Sequence, residues 1–484
     1  MSTLQTRPNV LWICSDQQRW DTLGCYGNHF VQTPVLNRLA ETGTLFEHCY
    51  SQSPVCTASR ASFLTGRYPR TTRCRQNGQD IPRDEVLVTK LLASAGYTCG
   101  LSGKLHISAC NPSVCKTTER RIDDGYADFH WSHHSGPGWG QNNEYWAWLT
   151  EKGTRFETQP HPQSQWVQIG MPKETHQTTW CAEKAVEFIK ARVQDGKPWL
   201  FSINMFDPHH PFDAPATHLE RYLKFFDDIP LPNYIEGELE NKPSYQTFDH
   251  QGAYGHKCGF PFNTMSEKDH RLVRASYWAM CDLIDEQVGR VLAALKETNQ
   301  IDNTFVIFTS DHGEMLGDHG IYLKGPYFYE PAVRVPLIIS WPGRIKPQRS
   351  SALVELIDIA QTVLDAAGVP HRAGMQGKSL WALLTGNGDC NHHRDDVYSE
   401  YYNAMPWHRD PTPHLTMVRT GRYKLVIDHS ANTGELYDFQ DDPRETRNLW
   451  DCDSAQMIKT DLLLRLCNRM AWTVDPLPER RAAW

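Results

Sequence analysis

The chain has 484 residues, 40% hydrophobic and 22% charged, and that apolar content excludes general disorder because it can bury a large core. Forty-nine basic against fifty-seven acidic residues leave a net charge of −8, which excludes a general nucleic-acid binder and leaves room only for a local basic pocket. No apolar run approaches the roughly 20 residues of a membrane-spanning helix, so no membrane partner is expected. The opening MSTLQTRPNV lacks the apolar stretch and cleavage site of a secretory leader. A cytoplasmic chain is therefore expected, or a periplasmic or secreted one if a leader was trimmed. Fourteen cysteines scattered along the chain fit free buried thiols better than a disulfide framework.

In chain order, Val10 to Ser15 follows Pro8 as a short apolar run and reads as a buried strand. Thr33-Pro34 supplies a helix start and Gly43 a stop. Val86 to Ala95 is read as helical, closing at Gly96 before a strand from Tyr97 to Leu101. A helix from about Thr178 to Val193 precedes the strand Trp199 to Met205, and one from about Arg271 to Leu295 precedes Thr304 to Thr309. Val354 to Ala367 is read as a further helix. This alternation predicts an α/β fold, a large mostly parallel sheet covered by helices on both faces. Residues 126–176 and 207–265 break the rhythm and read as loop-rich insertions of the kind that carry function. After about residue 385 short strand-like pieces such as Thr416 to Arg419 and Tyr423 to Ile427 predict a smaller α+β subdomain. The expected division is 1–385 and 386–484.

Reactive side chains fall just past four expected strand ends: Asp16-Gln17, Lys104 with His106, Asp207 to Pro211, and Asp311-His312. Ligands of open α/β sheets bind there, so the chain reads as an enzyme. Asp16 and Asp311, with His312 and the amide oxygen of Gln17, suit a divalent metal. Oxygen donors favour calcium, and the imidazole leaves manganese open. Taken one at a time, each Asp is equally well a helix cap. Cys56 stands at the start of a short helix, near the positive end of its dipole, with Arg60 one turn later on the same face.

The run Cys56-Thr57-Ala58-Ser59-Arg60 with Leu64-Thr65-Gly66-Arg67 resembles the signature of the formylglycine-dependent sulfatases of the alkaline phosphatase superfamily. Ser15-Asp16-Gln17 with Leu23 to Gly27, Gly103-Lys104-Leu105-His106, Pro208-His209-His210-Pro211, Thr309 to Glu314, Lys324-Gly325 and Glu435 to Asp438 extend the likeness in order along the chain. The resemblance implies an alkaline phosphatase-like fold. It implies oxidation of Cys56 to formylglycine by a maturation enzyme, the hydrated gem-diol being the nucleophile. It places Asp16, Gln17, Asp311, His312 and the modified Cys56 on the metal. Arg60 would steady the formylglycine, Lys104 and Lys324 would hold the sulfate, His106 would assist proton movement at the gem-diol, and His209 would serve the leaving oxygen. A sulfate monoester is anionic, and cations aimed at its oxygens suit the charge that develops as the ester bond breaks.

Two positions depart from the pattern. Ala58 stands where the motif usually has proline, and Gln17 where many members have a second Asp. The Asp-Gln pair also occurs in phosphonate monoester and phosphodiester hydrolases of the superfamily, which makes that activity the alternative to a sulfatase acting on a sulfated sugar. A zinc site of His106, Cys110 and Cys115 fits no common spacing. His133-His134 and His392-His393 read as solvated loop histidines, the first pair with a possible place in the pocket lining. Selectivity is expected in Trp131 to Trp148 and Asp249 to Phe262, although any one of these aromatics serves equally well as packing.

Overall fold

A computed structural model describes residues 7–474 and 482. The leader expectation rests partly on residues 1–6, which lie outside the described residues. The main-sheet strands are β1 (Asn9–Ser15), β2 (Thr44–Tyr50), β3 (Thr98–Gly103), β4 (Tyr126–Trp131), β7 (Trp199–Asn204), β8 (Thr304–Ser310), β9 (Arg334–Ser340) and β10 (Gln348–Glu355). A small ribbon of β5 (Gln159–Pro160) and β6 (Gln168–Ile169) lies apart. The eight strands run in the order β10-β2-β9-β8-β1-β7-β3-β4. All pairs are parallel except those of β9, which opposes both β2 and β8.

Every residue of β1, β7 and β8 is buried, which is why they read as unbroken apolar runs rather than alternating ones. The two-residue period still sorts their side chains. Leu11 and Ile13 pack with helices Gln177–Ala191 and Glu267–Glu297, while Val10, Trp12 and Cys14 join the core under Cys56–Thr65 and Asp358–Ala367. The mostly parallel sheet with helices on both faces is thus as expected.

Several boundaries differ. Val354 belongs to β10, and the helix read from it begins at Asp358. The strand and the helix are both apolar and only two residues part them, so periodicity merges them. Strands β2 and β9 were not anticipated; β2 holds Glu47 and His48 at half-buried positions and lacks the apolar run of a central strand. Residues 126–176 are not all loop, since β4 completes the sheet edge and Glu144–Glu151 is helical. The C-terminal part carries an antiparallel sheet of β11 (Asp396–Tyr402), β12 (His414–Thr420), β13 (Tyr423–Asp428) and β14 (Thr433–Asp438), with the helix Gln456–Trp472. All fourteen cysteines are free. Among the described residues no helix is long and apolar enough to cross a membrane.

Where β10 ends, Glu355 meets the C-terminal subdomain. Its Oε1 accepts from the Tyr398 backbone N–H (2.7 Å) and Arg469 (2.5 Å), and its Oε2 from Tyr68 Oη (2.6 Å) and Arg394 (2.5 Å). Asp358 accepts from the backbone of Lys378 and Glu355 and from Arg394. His393 is buried against Lys378 and Asp358, so it is not the solvated loop residue expected, whereas His392 is exposed.

Candidate active site

The carboxyl ends of β1, β3, β7 and β8 bring the expected residues to one place. Helix Cys56–Thr65 starts directly after the extended Val55, and all ten of its residues are buried. That burial leaves Cys56 only 1% exposed, with Sγ 3.0 Å from His312 Nε2. One donor atom each of Asp16, Cys56, Asp311 and His312 lies within 4.8 Å of the others. The His312 Nδ1–H donates to the Gly313 carbonyl (2.9 Å), which fixes the tautomer and leaves Nε2 with its lone pair toward this cluster. Two carboxylates, an imidazole lone pair and the side chain at position 56 are a donor set that fits a divalent cation.

Cations surround that set. Arg60 donates Nε–H to Asp311 Oδ2 (2.7 Å) and Nη1–H to the Lys104 carbonyl (2.7 Å), and its Nη2 stands 3.6 Å from Asp16. Lys104 Nζ pairs with Asp16 Oδ2. Its position depends on Gly103, whose φ is +97° and whose Cβ, if present, would sit 1.9 Å from the Asn204 carbonyl. Only glycine allows that approach, and the Lys104 N–H then donates to the same carbonyl at 3.0 Å. Lys324 Nζ donates to Gln17 Oε1 and to His209 Nε2 (2.8 Å). Because His209 Nδ1–H donates to the His210 carbonyl (2.6 Å), Nε2 is the acceptor and carries no proton of its own.

The charges follow from these contacts. Burial works against ionised Asp16, but Lys104 and Arg60 hold its carboxyl well below the usual range. Burial and Asp16 push the Cys56 thiol up, and the neighbouring cations, Lys104 first and then Lys324, pull it back, leaving it below the ordinary thiol value. Burial, then Lys324, keeps His209 far below an ordinary histidine, and burial with Lys104 does the same for His106. Both rings are neutral.

Some expected roles meet a different geometry. His106 does not reach Cys56 Sγ; its Nε2 lies 3.1 Å from the hydroxyl of the neighbouring Thr57. Gln17 has φ 63° and donates its backbone N–H to Asp311 Oδ1 (3.0 Å). Its amide is engaged by Lys324 and Glu314, so its oxygen is free for a cation only when Lys324 releases it. His133 is buried and His134 half-buried rather than solvated: burial, then Lys104, pushes His134 down to about 3, and the His133 ring lies 4.4 Å from that of His106, tilted by 59°. Trp131 donates to Glu119 and Trp148 to Glu183, tying the insertion to the main domain, while Trp139 stacks on His134.

Three contributors escaped the sequence reading. Glu314 holds the Gln17 amide, and burial raises its carboxyl; its place two residues after His312 was the signal. Asn77 Oδ1 accepts from the Thr57 N–H at 3.0 Å, and no motif marks it. Trp407, from the C-terminal subdomain, stacks on Tyr254 at 4.7 Å and 12°, a pairing of residues too distant in sequence to foresee.

Comparison with known proteins agrees with this geometry. The sulfatase family model matches residues 8–369, and a model described as the C-terminal part of N-sulphoglucosamine sulphohydrolase matches residues 317–471. The arylsulfatase of Clostridium perfringens is 28% identical over 92% of this chain and 90% of its own length. The N-acetylglucosamine-6-O-sulfatase of Bacteroides thetaiotaomicron is 26% identical over 92% of this chain and 83% of its own. Among solved structures, the phosphonate monoester hydrolase of Silicibacter pomeroyi superposes with a TM-score of 0.84 at 25% identity, covering 97% of this chain and 96% of that one. With its strand-end cluster and a family match across three quarters of its length, the chain belongs to the sulfatase family of the alkaline phosphatase superfamily and is a sulfuric ester hydrolase.

Proposed function

We propose that the protein hydrolyses a sulfate ester of a sugar through formylglycine made from Cys56, with a divalent cation, calcium, held by Asp16, Asp311, His312 and the modified side chain, and by Gln17 once Lys324 has turned to substrate. The observation that carries this reading is Cys56 at a helix start inside a set of metal-type donors, ringed by Arg60, Lys104 and Lys324. The sugar is supported by the N-acetylglucosamine-6-O-sulfatase among the relatives.

When bound, the cation and the hydrated aldehyde together supply charge neutralisation and an attacking oxygen. The rest falls to the chain. Arg60 neutralises Asp311 and keeps the strand ends together. Lys104 and Lys324 hold sulfate oxygens and stabilise them as the bond to the alcohol lengthens. The leaving oxygen needs a proton, and His209 is placed to serve it: its Nε2 accepts from Lys324 at 2.8 Å here and is freed to take up a proton from solvent when Lys324 turns to sulfate. Thr57, between His106 and position 56, orients the attacking group. Cys56 is 1% exposed, so the maturation enzyme acts before the chain folds. In this reading residues 1–385 carry the chemistry and 386–484 contribute the rim, where Trp407, stacked on the buried Tyr254, offers an aromatic face to the sugar.

Intact mass tests the nucleophile: formylglycine exchanges one sulfur and two hydrogens of Cys56 for one oxygen, a net loss close to the mass of one water. Hydrolysis in ¹⁸O-water should label sulfate after the first turnovers and never the alcohol. Label in the alcohol would mean C–O cleavage and would overturn the mechanism. A second reading, phosphonate monoester hydrolysis, is favoured by the Asp16-Gln17 pair and the structural neighbour. Sulfated mono- and disaccharides assayed beside a phosphonate monoester decide between them by kcat/KM.

A further inference from the structure

Beside the site, a second group of metal-type donors lies past the ends of β3 and β4. One donor atom each of His106, Cys110 and His133 lies within 4.8 Å of the others. The set suggested by spacing, with Cys115, is not built: the Cys115 thiol turns to the Thr117 carbonyl, and His133 takes its place. His106 and His133 are 7% and 6% exposed. His106 Nε2 is engaged with Thr57, and its Nδ1 is buried without a hydrogen-bond partner; His133 Nδ1 is buried and unpartnered too. Ring nitrogens stripped of water and given nothing in return are costly. Two of them beside one thiol point to a missing ligand.

We propose that His106, Cys110 and His133 form a binding site for zinc, separate from the cluster at Asp16, Cys56, Asp311 and His312. Imidazole nitrogen and thiolate sulfur are the donors of borderline-soft cations, whereas calcium takes oxygen. Three protein ligands leave a fourth position open. The Cys110 thiol, now donating to the Ser108 carbonyl (3.2 Å), gives its proton to solvent as the S–Zn bond forms, and both imidazoles bind as neutral rings. Glu119 holds the segment in place by accepting from the backbone of His106 and Ile107 and from Trp131 Nε1. Because His106 also touches Thr57, next to position 56, zinc there would immobilise a ring of the active site and inhibit turnover. That last clause rests on the proposed function; the binding does not.

Cobalt(II) is the spectroscopic probe. In a Cys56→Ser background, which removes the other nearby sulfur, calcium-saturated protein titrated with cobalt should show a thiolate-to-cobalt charge-transfer band. Cys110→Ser, close to isosteric, should abolish it, and Cys115→Ser should leave it. Equilibrium dialysis against zinc chloride should show affinity falling about tenfold or more in His133→Gln. No band in the Cys56→Ser protein, or a band that survives Cys110→Ser, overturns the site. For inhibition, the matured wild type should lose sulfate-ester hydrolysis in zinc, with Cys110→Ser needing at least about tenfold more zinc. Equal sensitivity of the two overturns the inhibitory role. Turnover without zinc tests the sulfatase reading separately.

Discussion

Two buried charge clusters use the same residue types to different ends. At the end of β10, Glu355 and Asp358 face Arg394 and Arg469, with Asp396 3.4 Å from Arg469 as a third carboxylate, and both oxygens of Glu355 and Asp358 are engaged. Around Cys56, Asp16 and Asp311 face Arg60, Lys104 and Lys324, while the thiol and the His312 lone pair are gathered on the carboxylates rather than kept apart from them. The first cluster is closed, each carboxylate being paired with a guanidinium. The second carries one cation in excess and converges its donors on a point. Alternating signs lock one subdomain to another; gathered donors and a surplus cation are what the proposed metal and sulfate site requires.

If that contrast holds, changes in the two clusters should separate activity from stability. Cys56→Ala should reduce sulfate-ester turnover about 10⁴-fold or more with little change in the midpoint of chemical unfolding. A variant that retains a tenth of the activity would take position 56 out of the chemistry. Glu355→Ala should do the reverse. It leaves Arg394 with Asp358 alone and Arg469 with Asp396 alone, a broken buried network that costs about 3–5 kcal/mol, while kcat of the folded fraction stays near wild type. Equilibrium unfolding in urea with a parallel assay reads both, and an unchanged midpoint would mean that the junction adds nothing.

Lys324→Ala and Lys104→Ala should each lower turnover about 10²-fold or more, and near-normal rates in both would remove the lysines from the sulfate. His209→Ala sharpens the same point. If it delivers the proton to the leaving oxygen, alkyl sulfates should suffer far more than activated aryl sulfates, whose phenolates leave unaided. Equal losses would make it a binding residue only.

The smallest expected effect is a pH dependence of the closed cluster. Burial opposes the Asp358 charge, but Arg394 and His393 hold its carboxyl down at about 2, from an ordinary 3.8. A carboxyl depressed on folding contributes its stability fully above 3.8 and loses it as pH falls toward 2, here about 2 kcal/mol. Unfolding midpoints measured between pH 5 and pH 2 should fall for the wild type and fall less for Asp358→Asn; parallel curves would remove Asp358 as the source.

Much of this was legible in the sequence because it is local. The buried runs Val10 to Ser15 and Trp199 to Met205 carry their strand character in composition alone, and Cys56 to Arg60 sets both the helix start and the spacing of thiol and guanidinium. What was missed depends on partners far along the chain. The strand β9 is antiparallel because of where the chain returns, between β2 and β8, and nothing in Arg334–Ser340 encodes a direction. His133 and His134 looked like solvated loop residues because their neighbours are polar, yet His133 is buried against Trp139 and His134 half-buried between Trp139 and Phe206.

By itself, then, the sequence determined the α/β alternation, the strand ends at which reactive groups stand, and the residue types of the cluster, since periodicity and spacing act over a few residues. The tertiary structure decided which of those groups meet. Gln17 holds Lys324, Lys324 holds His209, and His106 faces His133 rather than Cys115. Those partnerships join segments up to some three hundred residues apart. They follow from the order in which the sheet places its strands, and short-range spacing carries no record of that order.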